Sequence, residues 1–127
     1  MTKSELSVIT NAKKLNEWLL IATRATPKNW RWNIVDNLLK ISIEIIRLIH
    51  KANAELDESK RFAKQKMVDV ELFTISHLII TAKKVGVFTG NQLEHASKLL
   101  LETRRSLWAW IRSETNKTTV FSKQDAE

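Results

Sequence analysis

Apolar positions recur at helical spacing through most of the chain, with few residues to interrupt them. From about Asn11 to Ala25, Leu15, Leu19 and Ala22 fall at intervals of four and three, which predicts a helix with one buried face. Thr26-Pro27 ends it, because a proline biases the preceding residue away from the helical region. The pattern predicts a second helix from near Trp30 to Ala54. The polar, acidic run Glu55 to Ser59 then offers a turn and an N-cap for a third helix, Ser59 to Val85. Gly86 stands where a C′ residue would close that helix, and Lys83 and Lys84 lie favourably against its C-terminal dipole. Thr89 followed three residues later by Gln92 forms a capping box, which opens a fourth helix from Gly90 to about Glu114. Beyond Thr115 the periodicity fades. Residues 1–114 are therefore expected to form one domain and residues 115–127 a flexible tail. Short connections between long helices predict an all-α fold, an antiparallel up-and-down four-helix bundle.

The second helix carries more apolar surface than a bundle core requires. Ile34, Leu38, Ile41, Ile45 and Leu48 make one stripe; Val35, Leu39, Ile46 and Ile49 make a second beside it, widened by Ile43. At about 100° per residue the two span about 220°, against an arc of little more than 100° for an ordinary surface helix. Large exposed apolar patches mark interfaces, so Val35, Leu39, Ile43, Ile46 and Ile49 are expected to contact another copy of the chain. Asp36, Lys40, Glu44 and Arg47 recur on the remaining face, which makes the segment amphipathic and unlike a membrane span.

Composition narrows the function. A length of 127 residues suits one domain, and two Gly with one Pro leave too few breakers for a β-sandwich or an α/β fold. Cysteine is absent, which removes disulfides, thiolate metal sites and thiol nucleophiles. His50, His77 and His95 sit on separate segments without metal-binding spacing, and no metal or cofactor is expected. Glu55, Asp57 and Glu58 precede a helix, where the dipole favours acidic residues, so they need no catalytic explanation. Nothing resembles a phosphate loop or a nucleophile elbow, and the chain is not expected to be an enzyme. Residues Met1 to Leu6 hold no apolar signal segment, so a cytoplasmic location without membrane contact is expected.

The formal charge of +7 and a pI near 9.9 point to polyanionic partners. Basic residues concentrate in KRFAKQK (60–66), in KLLLETRRSLWAWIR (98–112), on the Lys40, Arg47, Lys51 face of the second helix, and around Arg24, Lys28 and Arg31. Several stand beside tryptophan, a combination that can hold phosphates while a ring stacks on a base. Trp at helical spacing more often packs internally. Trp110 shares a side with Leu99, Thr103 and Leu107 and is expected in the core, while Trp108, offset toward Leu101, is expected at its edge.

Two segments resemble the Avd (accessory variability determinant) family, the four-helix-bundle accessory proteins of diversity-generating retroelements. WLLIATRATPKNWRW (18–32) is similar to that family's apolar helix, Thr, Phe-Pro-Lys and Arg-aromatic pattern. Trp18, Leu19, Thr23, Pro27, Lys28, Arg31 and Trp32 match, and Thr26 stands where Phe is usual. ETRRSLWAWIR (102–112) resembles a closing motif E-x-G-R-x-L-G-x-W through Glu102, Arg105, Leu107 and Trp110, with Arg104 and Trp108 in place of small residues. The junction Gly86-Val87-Phe88-Thr89 also fits, so the likeness spans roughly residues 11–113.

The resemblance implies a non-catalytic subunit that assembles into a pentameric barrel and binds a reverse transcriptase and its template RNA, supporting mutagenic cDNA synthesis. Family members often carry arginines late in the third helix, where this chain has Ser76 and Ile80. Contact with RNA, an RNA–DNA hybrid or the polymerase is therefore expected at Lys40, Arg47, Lys51, Arg104, Arg105 and Arg112. Related bundles encoded in ribosomal-RNA intervening sequences share the fold, and a structural oligomer of that type without a reverse transcriptase partner is the alternative.

Overall fold

The computed structural model describes residues 3–126, with side chains described for residues 3, 5 and 7–115. The described residues are helical and contain no strand. Helix α1 runs Lys3–Thr23. Helix α2 starts with one turn at Lys28–Trp30, passes through a π-helical turn at Arg31–Val35 and continues as an α-helix over Asp36–Ala54. Helix α3 is Glu58–Lys84 and α4 is Gly90–Ala126. Helix α1 begins earlier than periodicity suggested because Val8 and Ala12 extend the buried Leu15–Leu19 stripe toward the N-terminus. The backbone of α4 likewise runs past Glu114, into the segment expected as a tail. The tail's side chains from residue 116 lie outside the described residues.

Each turn closes the helix ends that it joins. After Thr23, the Arg31 fork donates to the Thr26 carbonyl at 3.1 Å and the Arg24 carbonyl at 2.6 Å, occupying acceptors that the end of α1 leaves open. Between α2 and α3, Asp57 is the N-cap, and its carboxylate accepts from the Lys60 N–H at 3.0 Å. Arg61 locks the same turn, donating through Nε and Nη2 to the Glu55 carbonyl at 3.0 and 2.9 Å. Gly86 at φ 85° ends α3 in a Schellman arrangement, with Val87 N–H donating to the Ala82 carbonyl at 2.8 Å and Gly86 N–H to Lys83 at 3.2 Å. The expected capping box opens α4: Thr89 N–H donates to Gln92 Oε1 at 2.8 Å and Gln92 N–H to Thr89 Oγ1 at 3.1 Å.

The helices pack as a ring in chain order, α1 on α2, α2 on α3, α3 on α4 and α4 back on α1, so α1 and α3 are diagonal, as are α2 and α4. Cross-links show antiparallel neighbours: Arg61 and Asp69 of α3 meet Glu114 and Arg104 of α4. Asn11 of α1 reaches Ser106 while Trp18 lies against His95. Leu15, Leu19, Leu38, Ile45, Ile75, Ile79, Leu107 and Trp110 fill the core.

This packing removes two of the five α2 residues expected at an oligomer surface. Val35 is 2% and Ile49 0% exposed, so the chain's own helices enclose two of the residues expected to contact another copy. A corner helix touches two neighbours at once, and α1 and α3 between them cover most of the wide apolar arc. Ile43 remains exposed, with Leu39 and Ile46 half-buried beside it.

Candidate functional site

The six expected basic residues separate into two groups. Lys40, Arg47 and Lys51 share the outward face of α2, whereas Arg104, Arg105 and Arg112 project from α4. Because α2 and α4 are diagonal, these faces look away from each other, and one chain does not bring them together. The α2 group is also diluted: Glu44 stands in the same stripe, and Arg47 pairs with it at 3.4 Å. Exposed i, i+3 pairs of this kind contribute little stability, but they do offset local charge.

The α4 group is better organised. Asp69, on α3, accepts from Arg104 Nε at 3.0 Å and from Trp108 Nε1 at 3.2 Å through one oxygen, Oδ1. Arg104 and Trp108 are the residues that replace small ones in the closing motif, and here they fasten α4 to its neighbour. Among the described residues no hydrogen bond or ion pair engages the side chains of Arg105 and Arg112. Both lie on the exposed face of α4 and line a groove of about 240 Å³ with Leu101, Arg104 and Trp108. Held on one edge and open on the other, this surface presents two free guanidinium forks beside a half-buried indole. Planar forks of this kind suit phosphate or carboxylate oxygens.

Tryptophan placement follows the expectation for Trp110 and Trp108. Trp110 is fully buried and Trp108 half-buried, while Trp18 packs against Phe88 and His95 with ring centroids at 5.5 and 5.4 Å. Periodicity missed an apolar strip on α3, where Phe62, Val70, Phe73 and Ile80 are exposed along one side. A second groove, about 210 Å³, joins this strip to α4 between Phe73, Leu101 and Arg104. Residues Val68, Leu72, Ile75 and Ile79 bury the opposite side of α3, and apolar positions on both sides erase the amphipathic signal.

Among the described residues, no group of three His, Asp or Glu side chains is placed to hold a metal ion. No helix there is long and apolar enough to cross a membrane. No curated protein matches the chain. Residues 7–114, from the second turn of α1 to the Glu114 that pairs with Arg61 of α3, match the family described as bAvd-like. This span takes in all four helices and both resembling motifs, and the chain belongs to the bAvd-like family, as an Avd-type accessory protein.

Proposed function

We propose that the chain is a non-catalytic accessory subunit of a diversity-generating retroelement, which binds the reverse transcriptase and its template RNA through basic faces and supports mutagenic cDNA synthesis in the cytoplasm. The observation that carries this reading is the outer face of α4, where Arg105 and Arg112 have no partner among the described residues and stand beside the Asp69-anchored Arg104 and Trp108. Lys40 and Lys51 on α2 provide a second, weaker face. The chain acts as a homo-oligomer, proposed as a pentamer, in which the exposed Ile43 with Leu39 and Ile46, together with the α3 strip, supplies contact surface.

Arg and Lys that neutralise phosphates release counterions, so affinity falls linearly on a log–log plot, with a slope of about −0.9 per duplex phosphate contact. Reversing Arg105 and Arg112 to Glu tests the assignment. RNA affinity and reverse transcriptase capture should both fall, and the salt slope should flatten by about 2. The far-ultraviolet helix signal should stay intact, because both residues are exposed. Unchanged binding at matched salt removes the α4 assignment. An oligomer with no salt-sensitive RNA affinity and no reverse transcriptase capture would favour the structural bundle of the ribosomal-RNA intervening-sequence type.

A further inference from the structure

One end of the bundle is built without acidic residues. The α1–α2 and α3–α4 turns meet there, with Ala25, Pro27 and Trp30 facing Gly86 and Val87 around a shallow pocket of about 280 Å³. No Asp or Glu occurs between Glu17 and Asp36, nor between Glu71 and Glu94, the two stretches that form this end. Arg24, Lys28, Arg31, Lys83 and Lys84 lie within them, all exposed. At the opposite end Glu55, Asp57 and Glu58 surround the α2–α3 turn, and Glu114 pairs with Arg61. The excess of positive charge is therefore graded along the bundle axis as well as placed on its sides.

Charge alone marks many surfaces, and Trp32 distinguishes this one. It is 79% exposed, whereas Trp residues normally contribute their large apolar area to cores and interfaces. It lies in the π-helical turn Arg31–Val35, a rare geometry that recurs at functional sites. The wider turn takes Trp32 out of the α-helical register of Leu39 and Ile43, while Trp30 stays packed on the core. Arg31 is committed to the Thr26 and Arg24 carbonyls, which stiffens the turn on which the ring stands. Lys28 sits one helical turn before Trp32, on the same side of the helix.

We infer that Trp32, one helical turn from Lys28 on the acid-free end that also carries Arg24, Lys83 and Lys84, forms a stacking site for an unpaired nucleotide of an RNA strand. The indole face takes the base, and the flexible cations neutralise phosphates on either side. The inference rests on the proposal that the chain binds RNA, and it adds a second site, distinct from the α4 arginines and selective for single strands. Duplex RNA keeps its bases stacked internally and offers no free ring face to Trp32. An anionic membrane is the competing occupant. Membrane-surface binding needs a continuous apolar face. At this end Phe88 is buried, Val87 is half-buried, and the exposed aliphatic residues are split between Leu20 and Ile21 on α1 and Ile80 and Val85 at the end of α3, which are diagonal helices.

The test uses the full chain, a fluorescein-labelled oligoadenylate of about 12 nucleotides, and an RNA duplex of the same length, in anisotropy titrations from about 50 to 200 mM salt. Trp32→Ala should weaken oligoadenylate binding about five- to 150-fold, the loss expected for one base–aromatic stack, and leave duplex binding within about twofold. Trp32→Phe should retain most of the affinity, since it keeps a ring face. Lys28→Glu with Lys84→Glu should flatten the single-strand salt slope by about 0.7 for each phosphate that is no longer neutralised. An unchanged Trp32→Ala, or a Trp32→Phe as weak as Trp32→Ala, overturns the inference. So does a chain that binds phosphatidylserine vesicles but no oligoadenylate. Loss in Arg105→Glu/Arg112→Glu with no loss in Trp32→Ala overturns this site alone and leaves the α4 proposal standing. The reverse result upholds this site and removes the α4 assignment.

Discussion

Replacing Asp69 by Asn should tighten RNA binding while loosening the bundle. Asp69 Oδ1 holds Arg104 Nε at 3.0 Å and Trp108 Nε1 at 3.2 Å, so one carboxylate keeps a cation of the α4 face turned toward α3. Both ends of the ion pair are partly exposed, and such a pair contributes about 0.2–1 kcal/mol. An asparagine oxygen can still accept the indole N–H, so the expected cost is about 1 kcal/mol, or roughly 3–6 °C in Tm for a domain of this size. On the binding side, the formal charge rises from +7 by one, and Arg104 is released to reach a phosphate. One added duplex contact steepens the salt slope by about 0.9, which at 0.1 M salt amounts to roughly eightfold tighter binding relative to the 1 M limit. Anisotropy titrations of wild type and Asp69→Asn against one structured RNA, at several salt concentrations, measure both quantities. If Asp69→Asn melts lower but binds with an unchanged slope, Arg104 does not face the RNA. Weaker binding would mean that the carboxylate is needed to hold Trp108 in place, which reverses the reasoning.

Two further predictions concern polar groups within the fold. Gln65 is buried, and among the described residues its Nε2 has no hydrogen-bond partner, so Gln65→Leu should leave Tm unchanged or raise it by several degrees, worth up to about 1 kcal/mol. A fall in Tm would show that the amide is satisfied by a bound water. The Glu55 carboxyl is held below its ordinary value, first by the Lys64 ammonium hydrogen-bonded at 2.6 Å and then by the Asp57 N–H. A depressed carboxylate contributes stability above its unfolded pKa and loses it as pH falls through the lower folded value. Glu55→Gln should therefore melt below wild type at pH 7, and the gap should close below about pH 4.5; thermal melts at pH 7 and 3 that differ by the same amount would refute this.

Local chemistry was the most legible part of the sequence. The Thr89/Gln92 box and the Gly86 cap each depend on residues within a few positions, and the structure contains both. Packing was less legible, since periodicity measures the width of an apolar arc but not how many neighbours cover it. Val35 and Ile49 looked like surplus for that reason, yet the chain buries both. Basic residues could be named in advance, but their pairing could not. Arg47 with Glu44 is an i, i+3 contact visible in the sequence, whereas Asp69 and Arg104 are 35 residues apart and meet only because α3 and α4 run antiparallel. Trp32 was the least legible, because no residue pattern announces the π-helical turn in which it stands.

An up-and-down bundle disperses its charged surfaces by construction. Outward faces of diagonal helices diverge, so the α2 and α4 groups of one chain cannot grip the same phosphate run, and the acid-free end is a third surface at right angles to both. Each is small. Arg105 and Arg112 of α4 have no partner among the described residues, and a few phosphate contacts alone give weak, salt-sensitive association. Repetition around the proposed homo-oligomer changes the arithmetic: once one copy is bound, the next face meets the same RNA at high effective concentration, and affinity multiplies without any new contact. A graded charge along the axis fits such an assembly, because copies arranged around one axis align their basic ends into a continuous rim. The dispersed arrangement that would leave one chain with few phosphate contacts is therefore the arrangement from which the proposed ring would build many.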